Sequence, residues 1–202
     1  DDRRHLSTNS DSEVLLNVLA HELHTRVNGS LTTQNVFDAV EALHERCKGG
    51  YSVVALIVGF GVIAFRDPNG IRPLILGERK KSINNDYMVA SESVALDVLQ
   101  FSRLRDVEPG ECIVIKNDMS LHCHKAPNQA VHTPCIFEYV YFARPDSILD
   151  GSSVYKARLR MGEQLAGKIV RDFEDHDIDV VIPIPDTSRT AALQVAYHLG
   201  VK

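Results

Sequence analysis

The stretch Tyr51-Ser52-Val53-Val54-Ala55-Leu56-Ile57-Val58-Gly59-Phe60-Gly61-Val62-Ile63-Ala64-Phe65 is where the hydrophobic period of the chain changes. Its Val, Ile and Phe content suits extended backbone, and Gly59-Phe60-Gly61 interrupts it as a tight turn, so the pattern predicts a β-hairpin. Upstream the period is helical. Ser10-x-x-Glu13 has capping-box spacing and precedes Val14, Leu15, Leu16, Val18, Leu19 and Leu23. A second helix is predicted to begin after Thr33, with Val36, Phe37, Val40 and Leu43 on one face, and to end at Gly49-Gly50. Downstream, Arg66-Asp67-Pro68-Asn69-Gly70 reads as a turn. Strands are expected over 71–76 and 87–90, then a short helix capped by Ser91 and a hairpin of 111–116 with 119–124 around Asn117-Asp118. Helices first and antiparallel strands after them make an α+β unit.

Residues 125–134 (Lys-Ala-Pro-Asn-Gln-Ala-Val-His-Thr-Pro) are polar and hold two prolines, so a domain boundary is placed there. The division is 1–124 for the first domain, 125–134 for a linker and 135–202 for the second. In the second domain a strand is expected over 136–142. A long helix follows from about 153 to 173, with Val154, Ala157, Met161, Leu165, Ile169 and Phe173 as its stripe. The apolar run 179–184 reads as a strand buried on both faces of a parallel sheet. Pro185-Asp186-Thr187-Ser188-Arg189 follows, then a helix over 191–199 ended by Gly200. This β-loop-α order is the α/β class.

The 202 residues carry 22 Lys and Arg against 27 Asp and Glu, a formal charge of −5, which argues against a nucleic-acid or anionic-membrane surface. No apolar run approaches the roughly 20 residues that span a bilayer. Cysteines at 47, 112, 123 and 135 show no CxxC spacing, which points to a reducing, cytoplasmic setting. A start at Asp1-Asp2-Arg3-Arg4 and an end two residues past Gly200 read as an internal piece of a longer protein.

Three groups of residues suggest chemistry. Asp186-Thr187-Ser188 lies beyond the carboxyl end of the expected parallel strand and at a helix N-terminus, where free N–H groups and the dipole favour phosphate. Thr187 and Ser188 add hydroxyls, and Asp186 could orient a magnesium–phosphate complex; by spacing alone, capping of the helix is the more ordinary use of these residue types. Ser10-Asp11-Ser12-Glu13 is either a plain helix start or a carboxylate site for an ammonium. His122 and His124 share one strand face near Cys112, His132 and Cys135, yet no third metal ligand is set by spacing. GxSxG, P-loop and GxGxxG patterns are absent, and Cys47 and Cys112 have no evident base partner.

Ser10 to Glu13, Phe65-Arg66-Asp67-Pro68-Asn69-Gly70-Ile71-Arg72-Pro73-Leu74 and Val89-Ala90-Ser91-Glu92-Ser93-Val94-Ala95-Leu96 resemble class II glutamine amidotransferases. Phe137-Glu138-Tyr139-Val140-Tyr141-Phe142-Ala143-Arg144-Pro145-Asp146-Ser147 and the run from Asp179 to Ser188 narrow the resemblance to the amidophosphoribosyltransferases. It covers essentially the whole chain. It implies part of a four-layer αββα N-terminal-nucleophile (Ntn) glutaminase, followed by the start of a type I phosphoribosyltransferase domain.

In that family an amino-terminal Cys, outside this chain, attacks glutamine, and the ammonia released displaces pyrophosphate from phosphoribosylpyrophosphate (PRPP) to give phosphoribosylamine, the first step of purine synthesis. The resemblance places Asp11, with Ser10, at the glutamine site and Asp186, Thr187 and Ser188 in the PRPP loop, with Thr187 beside magnesium. Tyr141 and Arg144 fall in the segment that joins the sites and closes an ammonia channel. The ribose-phosphate motif would lie past Lys202, so the 202 residues alone are expected to be inactive. Cys135 matches a position that some members use for an iron–sulfur cluster; the 155–168 stretch resembles the cluster-free branch, and no cluster is expected. The family also implies a homotetramer and feedback inhibition by purine nucleotides.

Overall fold

The computed structural model describes residues 6–125 and 131–202; Asp1-Asp2-Arg3-Arg4 and residues 126–130 of the expected linker lie outside the described residues. The change of period at Tyr51 is a change of structure. Helices α1 (Asp11–Arg26) and α2 (Thr33–Arg46) come first, and β1 (Ser52–Ile57) and β2 (Gly61–Arg66) follow as an antiparallel hairpin turned at Gly59, φ +79°. The capping box forms at α2, where Thr32 Oγ1 accepts from Asn35 N–H and Asn35 Oδ1 accepts from Thr32 N–H. At α1 only half of the expected box exists: Ser10 Oγ accepts from Ser12 N–H, while Glu13 reaches further back to the N–H groups of Ser7 and Thr8.

The remaining elements of the first part are β3 (Ile75–Arg79), β4 (Asp86–Ala90), α3 (Ser93–Val98), β5 (Ser102–Asp106), β6 (Glu111–Lys116) and β7 (Leu121–Lys125). They complete two antiparallel sheets, ordered β1-β2-β6-β7 and β4-β3-β5. Alternation along the strands sorts the core into layers. Ile63, Phe65, Cys112 and Val114 pack against Val36, Phe37, Val40 and Leu43 of α2 and Val18 and Leu19 of α1. Their neighbours Ala64, Ile113 and Ile115 face the other sheet, meeting Leu74, Leu76 and Val107. The outer face of the second sheet, with Ile75, meets Leu96 of α3 together with Ala143, Leu149 and Val154. The result is an αββα stack whose fourth layer is completed by residues beyond the expected linker.

Several local expectations are corrected. The strand expected over 71–76 begins only at Ile75, because Ile71 and Arg72 donate their N–H groups to Asp67 and Pro73 has none to give. Glu92, not Ser91, occupies the N-cap of α3, without a side-chain cap bond. The edge strand β5 was not anticipated, since Ser-Arg-Leu-Arg-Asp lacks an apolar alternation. The strand expected over 136–142 is instead helical, ending in a π-turn (Glu138–Phe142) in which Ala143 N–H reaches Glu138 C=O, 2.9 Å. Its aromatic and β-branched residues read as strand, but Arg158 donates to the carbonyls of Tyr139 and Ala143, both at 2.7 Å, and so satisfies two acceptors the turn leaves over.

β8 (Ile148–Leu149) and β9 (Ser152–Ser153) form a small hairpin across Asp150-Gly151, both at positive φ. Helix α4 (Val154–Asp172) starts at the cap Ser153, and α5 (Arg189–Leu199) ends at Gly200, φ +67°. The two helices approach at Gly162, where a Cβ would stand 2.3 Å from the Ala191 carbonyl oxygen. The 179–184 run has no regular secondary structure and joins no sheet among the described residues. Val181 N–H donates to Lys202 C=O, and Ile182 and Ile184 are exposed. A buried parallel strand needs ladder partners on its flanks, and the described residues supply none. Among the described residues no helix is long and apolar enough to cross a membrane.

Candidate functional site

The Arg66–Leu74 turn is the frame around which the expected sites are arranged. Asp67, fully buried, accepts from the N–H groups of Tyr51, Asn69, Ile71 and Arg72. Arg66 is 1% exposed and spends all five N–H groups. Nε donates to Arg72 C=O (2.6 Å), and the two terminal nitrogens donate to the carbonyls of Val107 and Gly70. The remaining two bonds form a fork on Asp150, at 2.8 and 2.9 Å. Asp67 caps its own turn, but Arg66 reaches across to the hairpin before α4. Residues 131–135 run beside the same turn, with Thr133 N–H on Asn69 C=O and Cys135 N–H on Ile71 C=O.

Beside this frame lies a cleft of about 440 Å³ whose lining includes Asp11, Ser12, Leu15, Tyr51, Phe65 and Arg72. Asp11 sits exposed in the first turn of α1, and its carboxylate accepts from the Ser12 hydroxyl at 3.4 Å. Ser10 is the helix cap. The cleft sets the Asp11 carboxylate beside an apolar floor, with Arg72 among its lining residues.

Arg72 also faces the other way. It ion-pairs with Glu138 at 2.5 Å and lies over the Phe142 ring, 5.3 Å from its centroid. Glu138 is buried; burial pushes its carboxyl pKa up, and the Arg72 charge opposes that rise. Tyr141, in the same turn, is exposed and meets Phe142 edge-on. Arg144 N–H donates to Glu92 (2.8 Å) while its exposed side chain pairs with Asp146. Glu92 also accepts from Ser147 Oγ, and Ser93 Oγ accepts from Ile148 N–H. Backbone and short side chains, rather than the Arg144 guanidinium, therefore dock this segment on α3.

Ser188 stands at the N-cap of α5, but no side chain of the three expected loop residues bonds to the N–H groups of the helix. Ser188 Oγ turns back to Ile184 C=O, and Asp186 pairs with Arg189 at 2.7 Å. Thr187 is half-buried, with no hydrogen bond to its hydroxyl among the described residues. The loop is not in contact with Asp11; the two stand at opposite ends of the chain. His122 and His124 do not converge on a metal. His124 meets Glu41 at 2.6 Å and stacks on Phe37, and no group of three or more potential metal ligands occurs among the described residues. Cys135 is half-buried.

Sequence reading missed Arg72, Glu138, Asp150 and Arg158. Signals for three of them were present. Glu138 is a lone charge in the apolar run 136–142, Arg158 stands four residues from both Val154 and Gly162, on the face that α4 buries in place of the expected stripe, and Asp150-Gly151 is a hairpin dipeptide.

No family model matches the chain. It is 61% identical over 204 residues to the amidophosphoribosyltransferase of Pseudomonas aeruginosa, a match that covers 100% of this chain. The chain belongs to the amidophosphoribosyltransferase family. The enzymes of that name from Escherichia coli and Saccharomyces cerevisiae are 54% and 48% identical over 98% and 99% of the chain. The chain spans about 40% of the length of these curated relatives. Two solved structures share the fold at 31% identity. The glutamine PRPP amidotransferase of Bacillus subtilis, complexed with ADP and GMP, gives a TM-score of 0.75 over 98% of this chain and 39% of that one. An allosteric regulatory enzyme of purine biosynthesis gives 0.79 over 99% and 39%. The amidophosphoribosyltransferase fold thus accounts for both the αββα stack and the helices that follow it.

Proposed function

We propose that this chain is the part of an amidophosphoribosyltransferase that joins a glutamine site to a PRPP loop. In this reading the whole enzyme releases ammonia from glutamine and transfers it to C1 of PRPP, giving phosphoribosylamine, glutamate and pyrophosphate. The observation that carries it is that no side chain of Asp186, Thr187 or Ser188 caps α5. Arg189 N–H is taken by the Asp186 carbonyl, and the loop leaves the N–H groups of Thr190 and Ala191 and the Thr187 hydroxyl for a phosphate-bearing ligand. Asp11 takes the α-ammonium of glutamine, since a charge-assisted bond in a half-enclosed cleft is among the stronger neutral-pH contacts. Residues 1–124 carry the first site and 135–202 the second, with Tyr141 and Arg144 where ammonia crosses.

Cys47, Cys112 and Cys123 are not set up as the glutaminase nucleophile. Burial raises the thiol pKa of Cys112 and likewise those of Cys47 and Cys123, the opposite of what thiolate attack requires. Magnesium fits the loop in a limited sense. It takes oxygen ligands and commonly keeps one or two from protein with the rest from substrate phosphates and water, and Asp186 and Thr187 offer a carboxylate and a hydroxyl. Bound there, magnesium would offset the charge of the departing pyrophosphate. Purine nucleotides as inhibitors, a tetrameric assembly and a cytoplasmic site belong to the same proposal.

The test uses the full-length protein with glutamine, PRPP and magnesium, measuring glutamate and pyrophosphate together. Asp11→Asn is expected to lower glutamine-supported amination by about tenfold or more, as loss of a charged hydrogen bond does, while ammonia-supported amination persists. Equal loss of both activities would remove Asp11 from the glutamine site.

A further inference from the structure

The chain holds two Asn-Gly pairs, Asn28-Gly29 and Asn69-Gly70, and the fold treats them in opposite ways. In such a pair the side-chain amide is open to attack by the next backbone nitrogen, because glycine has no Cβ to block the approach. Asn69-Gly70 lies inside the Arg66–Leu74 turn. Gly70 N–H donates to Asp67 C=O at 3.0 Å, and Gly70 C=O accepts from Arg66. The Asn69 side-chain amide donates to Val131 C=O. Its backbone is fixed at both polar groups, N–H on the Asp67 carboxylate and C=O beneath Thr133 N–H. Gly70 is buried, and a Cβ there would stand 2.8 Å from both His132 and Pro109.

Asn28-Gly29 lies in the connection between α1 and α2. The ends of that connection are tied: Val27 N–H donates to Leu23 C=O, Asn35 Nδ2 holds the Arg26 carbonyl, and Leu31 packs on the core. Between the tied ends Asn28, Gly29 and Ser30 are exposed. Neither the Asn28 side-chain amide nor Gly29 N–H has a hydrogen-bond partner among the described residues. A Cβ at Gly29 would find no atom within 4 Å beyond its chain neighbours.

We propose that Asn28 is a site of spontaneous deamidation in the folded protein, while the Asn69 turn keeps its own amide intact. The step needs only water. The Gly29 nitrogen gives up its proton to solvent and attacks Asn28 Cγ; the new N–C bond closes a succinimide ring, and the side-chain nitrogen leaves as ammonia. Water then opens the ring at either carbonyl, giving aspartate or isoaspartate. One water is consumed and one ammonia released, with nothing oxidised or reduced. At Asn69 the same step is obstructed twice. The nitrogen that would attack keeps its proton on Asp67 C=O, and the amide that would have to turn onto it is held by Val131. The product at Asn28 takes the formal charge of −5 one unit further negative and sets a carboxylate just past the end of α1, where the helix dipole is already negative. The 16 residues of α1 put about 24 Å between this loop and Asp11, so the inference stands apart from the reading of function above.

The experiment incubates the full-length protein at mildly alkaline pH, once folded and once in urea. Peptide mapping follows both pairs, reading the mass change from amide to acid and separating aspartate from isoaspartate. In the folded protein, conversion at Asn28 is expected to be at least about tenfold faster than at Asn69, since two hydrogen bonds must open first at Asn69. In urea the turn is lost, and the two pairs are expected to convert alike. Equal rates at the two pairs in the folded protein would overturn the proposal. So would an Asn28 rate in the folded protein far below its rate in urea, which would mean that the loop is held by contacts. A difference that persists in urea would also overturn it, because the fold would then not be the cause.

Discussion

Removing the Asp150 carboxylate is the sharpest perturbation of this architecture. Asp150 is the counter-ion of Arg66, which is 1% exposed and has no spare donor. Truncation strips two of five N–H groups of their acceptor and leaves a buried guanidinium without its partner, a change that costs about 3–5 kcal/mol. The Asp150 side chain itself keeps 16% exposure, so water can reach part of the gap, and the lower end, about 3 kcal/mol, applies. Backbone separates from charge here because Asp150 has φ +46°. Asp150→Gly removes the carboxylate without strain and is expected to cost about 3 kcal/mol. Asp150→Ala adds about 1 kcal/mol for holding a Cβ in the left-handed region. Asp150→Asn tolerates that region and keeps one acceptor, so about 1–2 kcal/mol is expected. Urea unfolding of the chain, followed by circular dichroism, gives these values provided the slope is unchanged. A cost below about 0.5 kcal/mol for Asp150→Asn, or Gly costing more than Ala, would refute the reasoning. Arg66→Met in the Asp150→Gly background should recover part of the loss, because the orphaned charge is gone.

Thr187→Ala should raise the PRPP concentration needed for half-maximal amination about fivefold, the worth of one hydrogen bond; an unchanged titration would return Thr187 to a scaffold role. Gly162→Ala must push α5 away from α4, since the new Cβ meets backbone rather than a flexible side chain. About 2 kcal/mol of destabilisation and faster hydrogen exchange in α5 are expected, and native exchange there would contradict the packing. His44 is buried beside Tyr51, with Nδ1 2.8 Å from the Tyr51 hydroxyl, and desolvation lowers its pKa from 6.5 to about 4 despite the opposing charges of Asp67 and Glu41. The unfolded chain therefore takes up a proton first as pH falls. Stability is full above about 6.5 and declines between about 6.5 and 4 by about 3 kcal/mol. His44→Gln should flatten that stretch of an acid titration, and an unaltered slope would show that His44 is not its source.

Much of this was legible because period-2 alternation and turn chemistry are local. The β1–β2 hairpin, the β6–β7 pair, α2 and α4 all follow from residues within a few positions of each other. What was not legible depended on distance. The segment 136–142 has the composition of a strand, and Arg158, one turn into the next helix, makes its helical carbonyls tolerable. Likewise 179–184 has the apolar run of a sheet strand, but strand pairing is a property of neighbours, and the described residues provide none. At the candidate sites the chemical residue types were readable, Asp11 and Thr187 among them. The residues that orient them were not, because Arg66 with Asp150 and Arg72 with Glu138 are pairs separated by long stretches of chain.

The layer formed by Ala143, Leu149 and Val154 over Ile75 and Leu96 has a bearing on how the protein is made. A ribosome delivers the two sheets well before it delivers the segment that covers the second one. Until Val154 has cleared the exit tunnel, α3 covers only part of the outer face of the second sheet, and the apolar surface left over is one that neighbouring nascent chains can stick to. The first unit therefore cannot mature on its own schedule. Its completion waits for the opening of the second, so the two arrive in the cell as one cooperative product rather than as beads on a string.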